Sequence, residues 1–112
     1  MYDSIKKVNL PKPKIILFFT ILLTLIVYKD VGSHQFQTAW DDQWAVQNWY
    51  TEEGFSGENT TAILLEFYGG QYAPVNQFYY TFLHNLFGYN ATAFHMAGLV
   101  IHILTVVTVF FF

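Results

Sequence analysis

"KIILFFTILLTLIVYK", Lys14 to Lys29, holds fourteen uncharged residues between two lysines. A full membrane span needs roughly 20 apolar residues. Lysine stems can extend to the interface at either end, which brings a helix over 15–28 within reach of one. A second run, "AFHMAGLVIHILTVVTVFFF" (93–112), carries no formal charge and follows Asn90, a residue suited to cap a helix start. A helix over 91–112 is long enough to span. The chain is 54% hydrophobic and only 12% charged, against about a quarter charged in soluble domains. The reading that follows is an all-α integral membrane fold. Two transmembrane helices flank a translocated loop with one or two short helices.

Charge sets the direction. All five cations are lysines (Lys6, Lys7, Lys12, Lys14 and Lys29), and no Lys or Arg follows Lys29. Asp30, Asp41, Asp42, Glu52, Glu53, Glu58 and Glu66 all follow it. Cytoplasmic segments accumulate Lys and Arg, so residues 1–14 are expected in the cytoplasm and the acidic loop 29–73 on the far side. The membrane is then a bacterial inner membrane or that of the endoplasmic reticulum. The rival reading of the first run is a signal peptide cleaved near Val31-Gly32-Ser33, which would release a small secreted protein. Lys29 and Asp30 lie between the apolar run and that position and count against cleavage. The second run ends in three phenylalanines with no basic flank, so the sequence is expected to open a larger polytopic bundle. There is no cysteine, which excludes disulfides, zinc-thiolate sites and thiol nucleophiles. No basic stripe for nucleic acid is present.

Between the two runs, "PVNQFYYTFLHNLFG" starts at Pro74 and stops at Gly88, the punctuation of a helix over 74–87. Val75, Phe78, Tyr79, Phe82, Leu83 and Leu86 form its apolar stripe. Asn76, Gln77, Thr81, His84 and Asn85 form the opposite face. An amphipathic helix of this length is expected to lie at the membrane surface or to pack on its neighbours. Gly54, Gly57 and the pair Gly69-Gly70 signal turns upstream of it.

"TAWDDQWAVQNWY" (Thr38–Tyr50) sets Asp41 and Asp42 among Trp40, Trp44 and Trp49. Two readings are open. Thr38-x-x-Asp41 matches a capping box, and acidic residues suit a first helical turn. Alternatively, tryptophans favour the headgroup level, and a carboxylate held there in low dielectric is raised toward a general-base range. Two adjacent carboxylates can also hold a divalent cation such as Mg or Mn. His95 and His102 are seven residues apart, hence on one helix face, and are expected as neutral side chains hydrogen-bonded to a neighbouring helix. A metal site joining His34, the aspartates and these histidines has no ligand-spacing signature. Asn59-Thr60-Thr61 and Asn90-Ala91-Thr92 fit the short N-glycosylation acceptor pattern.

A short basic N-terminus, one apolar helix and then an acidic pair resembles the start of a GT-C glycosyltransferase. "YAPVNQFYYTFLHNLFGYNATAFHMAGLVIHIL" is similar to that superfamily's proline-containing segment, apolar helix, "lfGyn" turn and second membrane helix. It looks closest to the branch of protein O-mannosyltransferases and transmembrane, tetratricopeptide-repeat O-mannosyltransferases, whose second membrane helix begins with an "fH…H" pattern echoed by Phe94, His95 and His102. The resemblance covers residues 15–112. It implies a sugar moved from a polyprenyl or dolichyl phosphate donor to a protein or glycan acceptor, with Asp41 the catalytic carboxylate and Asp42 its partner or a metal ligand. Related sequences often carry His-Pro-Pro or Tyr-Arg-Pro where this chain has Tyr72-Ala73-Pro74, so a cation is missing there. The alternative is a non-enzymatic polytopic membrane protein whose aromatic loop binds a partner or anchors in the lipid bilayer interface.

Overall fold

The computed structural model describes residues 12–112; most of the expected cytoplasmic segment 1–14 lies outside them. Six helices follow one another: α1 (Pro13–Val27), α2 (Asp42–Ala45), α3 (Trp49–Glu52), α4 (Gly57–Leu65), α5 (Pro74–Phe87) and α6 (Ala91–Phe111), with a 3-10 turn at Val31–Ser33. Among the described residues there is no strand, only an isolated bridge between Tyr68 and Gln71. The loop therefore holds three short helices rather than one or two.

Helices α1 and α6 are long and apolar enough to cross a membrane, α1 together with the turn after it. At 1.5 Å per residue the 21 residues of α6 span about 31 Å. No residue of α1 is buried, and in α6 only Ala91 and Phe94 are. Phe18, Leu23, Leu104 and Val109 all stand more than half exposed. Apolar surface this widely exposed is not how a helix sits in water. The two helices pack on each other near one end, where the Tyr28 ring lies 5.7 Å from that of His102. Just beyond, Thr92 Oγ1 donates to the Gly32 carbonyl at 2.7 Å, which ties the 3-10 turn to the start of α6.

Residues 34–90 gather at that end, giving the molecule an elongated 70 × 32 × 24 Å outline. Val46, Leu83 and Phe94 form the apolar core, with Phe36, Tyr79, Tyr80 and Ala97 packed against it. Four-residue helices such as α2 and α3 have no stability of their own. Side-chain hydrogen bonds hold them on α5 instead. Asn48 caps α3 by accepting from the Thr51 N–H at 3.0 Å, and its Nδ2 donates to the Trp44 carbonyl at 2.9 Å and to Gln77 Oε1 at 3.2 Å. Gln77 Nε2 donates in turn to Thr51 Oγ1 at 2.9 Å. Asn59 Nδ2 bridges two carbonyls, of Tyr50 at 2.7 Å and Gly54 at 2.6 Å. Thr81 Oγ1 donates to the Tyr50 carbonyl at 3.2 Å. Asn48, Thr51, Asn59 and Thr81 are all buried, so the inner layer between α3, α4 and α5 is polar and largely paired, with Asn59 Oδ1 a buried acceptor left without a partner.

Helix α5 has the bounds its proline and glycine require, but burial does not follow its two faces: Leu83 of the apolar stripe is in the core, yet other members of the stripe are not. Thr81, from the polar face, is fully buried, whereas Val75 is 79%, Phe82 51% and Leu86 58% exposed. Thr81 and Gln77 meet the hydrogen-bonding loop, while Val75, Phe82 and Leu86 look outward.

One turn needs its glycine. Gly69 has φ +57°, and a Cβ there would stand 3.0 Å from the Trp44 ring. Gly69→Ala is expected to cost about 1–2 kcal/mol through the left-handed backbone alone and to displace Trp44. A lowered thermal midpoint in detergent, with reduced tryptophan burial, is the readout.

Candidate functional site

The chain leaves the 3-10 turn, crosses the start of α6 with Phe36 inserted against Phe94 (ring centroids 5.3 Å apart), and turns into α2. Asp42 closes that turn: its Oδ2 accepts from the Gln37 N–H at 2.8 Å. The Thr38–Asp41 capping box is not formed. Thr38 lies in a turn outside the helix, and Asp41 stands at the N-cap position with helical backbone angles and no side-chain capping bond. The physical reason is register: the Asp42–Gln37 hydrogen bond sets the helix start three residues later than Thr38 would. Asp41 is exposed and Asp42 half-buried.

Two cavities lie here, Asp41 bordering the outer alone and Asp42 both. The outer, of about 510 Å³, is lined by His34, Gln37, Trp40, Asp41, Asp42 and His95 among others. The inner, of about 360 Å³, lies between the loop, α5 and the first turns of α6 and includes Phe36, Asp42, Tyr79, Tyr80, Phe94 and His95 in its lining. Asp42 and His95 border both. His34 approaches His95 edge-on at 6.3 Å between ring centroids. His102 reaches the inner cavity lower on α6, so the two histidines do share a face. The expected hydrogen bond from His95 to a neighbouring helix is absent: His95 Nε2 is buried without a partner, as is the Tyr79 hydroxyl. Each such buried group costs about 1–3 kcal/mol when left unpaired. Burial pushes the Tyr79 and Tyr80 hydroxyls up, with the Tyr80 charge adding to the first and the Asp42 charge to the second. Both phenols remain proton donors at physiological pH.

Among the described residues no group of three or more His, Asp or Glu side chains could hold a metal ion. Asp41 and Asp42 are thus the two protein carboxylates on which a Mg or Mn ion would rest, the rest of its oxygens coming from water or substrate phosphate.

A third cavity, of about 80 Å³, lies on the other side of α2 among Trp44, Tyr50, Glu66, Tyr68 and Tyr80. Tyr50 donates to Glu66 Oε2 at 2.6 Å. Burial, then this hydrogen bond and the Glu66 charge, push the Tyr50 hydroxyl from 10 up to about 12. A phenol whose folded pKa exceeds its unfolded one stabilises the fold below the unfolded value and ceases to as pH rises through the folded one. The Tyr50 contribution is therefore intact below pH 10 and lost between 10 and about 12. Burial followed by the Glu52 hydrogen bond shifts Tyr89 in the same direction. Limited proteolysis across that range should show the loop opening, and Tyr50→Phe should move the onset to higher pH.

Sequence reasoning placed Asp41 and Asp42 at the site but missed Tyr79, the Tyr50–Glu66 pair and the Asn48–Thr51–Gln77 network. Asn48-x-x-Thr51 does carry a legible cap spacing. Asn59 reads as a glycosylation acceptor, yet it is 1% exposed with its amide nitrogen committed to two carbonyls. The folded chain cannot present it for modification. Asn90 caps α6, accepting from the Ala93 N–H at 3.1 Å. No known family model, curated protein or solved structure matches this chain.

Proposed function

We propose that this chain carries the acidic site of an integral membrane glycosyltransferase of the GT-C type. It moves a sugar from a polyprenyl or dolichyl phosphate to a hydroxyl of a protein or glycan acceptor on the non-cytoplasmic face. One observation carries the reading: Asp41 lines the outer cavity and Asp42 both cavities, at the end of two helices apolar enough to span a bilayer. A donor with a lipid tail and a polar head needs that location. The lysine asymmetry supports a cytoplasmic N-terminus.

In this mechanism the acceptor hydroxyl enters the outer cavity, where Asp41 takes its proton. The acceptor oxygen bonds to the anomeric carbon as the bond from that carbon to the phosphate oxygen breaks. Polyprenyl phosphate leaves with the electron pair. Asp41, free of side-chain capping bonds, is available as the base. Asp42, fixed by the Gln37 N–H, orients the reacting groups.

The test is transfer of labelled sugar from polyprenyl-phosphate mannose or glucose to hydroxyl acceptors by the full protein in proteoliposomes. Transfer that Asp41→Asn abolishes supports the reading. Absence of transfer with the wild-type protein, or full activity in the variant, rejects it. The outward-facing Val75, Phe82 and Leu86 of α5 favour the non-enzymatic alternative of an interfacial anchor, which predicts that Phe82→Ser leaves the chain inserted but exposes the loop to proteases at the bilayer surface, with no transfer by the wild type.

A further inference from the structure

We propose that the third cavity, beside α2, is an aromatic cage for the ammonium headgroup of a zwitterionic phospholipid, with Trp44, Tyr68 and Tyr80 as its walls and Glu66 as its counter-charge. The inference does not depend on the glycosyltransferase reading.

Cations rest on aromatic faces because the ring quadrupole is negative there, and Trp and Tyr serve well. Trp44, Tyr68 and Tyr80 line one cavity of about 80 Å³, and all three are half-buried, so a ligand reaches them. The rings do not stack flat on one another. Trp44 and Tyr68 are inclined at 40° with centroids 6.3 Å apart, and Tyr50 meets Tyr68 edge-on at 81°. Rings set at angles leave faces open to a guest. The same cavity takes in the exposed Glu66. Its Oε2 is held by the Tyr50 hydroxyl at 2.6 Å, and among the described residues no lysine pairs with it. A held carboxylate among aromatic rings, with no cation in the lining, favours a positive guest and repels an anionic one.

Size and place name the source. The cavity is well below the roughly 300–1,000 Å³ of sites that enclose a whole ligand, so it takes the end of a larger molecule. Tyr80 also lines the inner cavity, whose walls continue down α6 to His102 and across to Tyr28 at the end of α1. The cage therefore sits beside the two helices of membrane length. Its rim is apolar: Leu65 and Phe67, on either side of Glu66, and Val75, next to the lining Pro74, are 73%, 74% and 79% exposed. Exposed apolar side chains of this kind enter the headgroup layer of a bilayer. A choline or ethanolamine headgroup reaches the cage from that layer while its acyl chains stay in the bilayer.

The full protein in detergent, given equal amounts of phosphatidylcholine, phosphatidylethanolamine and phosphatidylglycerol with identical chains, should retain a zwitterionic lipid ahead of phosphatidylglycerol in native mass spectrometry. Glu66→Gln keeps an acceptor for Tyr50 and removes the charge, and Tyr68→Leu removes an aromatic face. Each should cut the preference about tenfold, whereas Tyr68→Phe, which keeps the face, should retain it. Thermal midpoints on the same preparations separate a lost ligand from a lost fold. Equal retention of the three lipids by the wild type would overturn the proposal, as would a preference unchanged in both Glu66→Gln and Tyr68→Leu. Capture of tetramethylammonium or of a trimethyllysine peptide without any zwitterionic preference would also overturn it, and would give the cage to a soluble ammonium or to a protein side chain.

Discussion

Asp41→Asn is expected to lower glycosyl transfer by about 100- to 10,000-fold, the usual worth of a positioned general base, while yield and thermal midpoint stay at wild-type values. The separation follows from how Asp41 is used. Its carbonyl, not its carboxylate, starts α2 by accepting from the N–H groups of Trp44 and Ala45, at 3.2 and 2.7 Å. The side chain is exposed and makes no capping bond. Asparagine has the same shape, so little in the fold registers the change. Asp42→Asn behaves differently: the amide oxygen can still accept from the Gln37 N–H, so the turn survives, but the fixed negative charge between the cavities is gone. Transfer should fall by a smaller factor than for Asp41→Asn. Initial rates in proteoliposomes, with thermal midpoints measured on the same preparations, check both. A fall in midpoint with unchanged transfer would assign the pair to starting the helix.

Asn59→Asp should give the largest loss of stability, about 3–5 kcal/mol, the cost of an uncompensated buried charge. The side chain is 1% exposed, and its amide nitrogen stands 2.7 and 2.6 Å from two carbonyl oxygens. An ionised carboxylate would set an acceptor against acceptors with no water to intervene. Asn59→Ala removes the donor without adding charge and leaves chiefly the Gly54 carbonyl unpaired, because Thr81 still serves Tyr50. Its cost should be smaller, about 1–3 kcal/mol per unpaired group. The carboxyl introduced by Asn59→Asp prefers its protonated form in the fold, which raises its folded pKa. That variant should recover stability as pH falls. Thermal midpoints at pH 4 and pH 7 in detergent give the comparison, and equal midpoints for N59D and the wild type would show that the polar layer does not hold α4 on α5.

Helix α5 shows where local signals run out. Its bounds are carried by Pro74 and Gly88, two residues that act within one turn. Periodicity then shows that the helix has two faces but not which face is inward, because that depends on what surrounds it. Leu83 of the stripe reaches the core, but Val75, Phe82 and Leu86 look outward, and Thr81 is buried against a hydrogen-bonded loop. The four-residue helices are harder still. They contain about one turn each, too little for any period, and they persist through Asn48, Thr51, Gln77 and Asn59, whose partners lie on other elements.

The sequence by itself determined the two long apolar helices, the span of α5, the Asn90 cap, the turns at Gly54 and Gly69-Gly70 (Gly57 instead begins α4 behind the Ser56 cap) and the presence of an acidic pair beside the first apolar run. Each depends on residues within a few positions of one another, where backbone sterics, capping and apolar run length act directly. Only the tertiary structure decided that Asp42 rather than Thr38 sets the start of α2, and that Asn59 is buried rather than presented. It also brought Asp42, Tyr79 and His95 around one cavity. Those side chains come from three elements up to 53 positions apart along the chain, and no local pattern encodes their meeting. The packing of residues 34–90 against the start of α6 does.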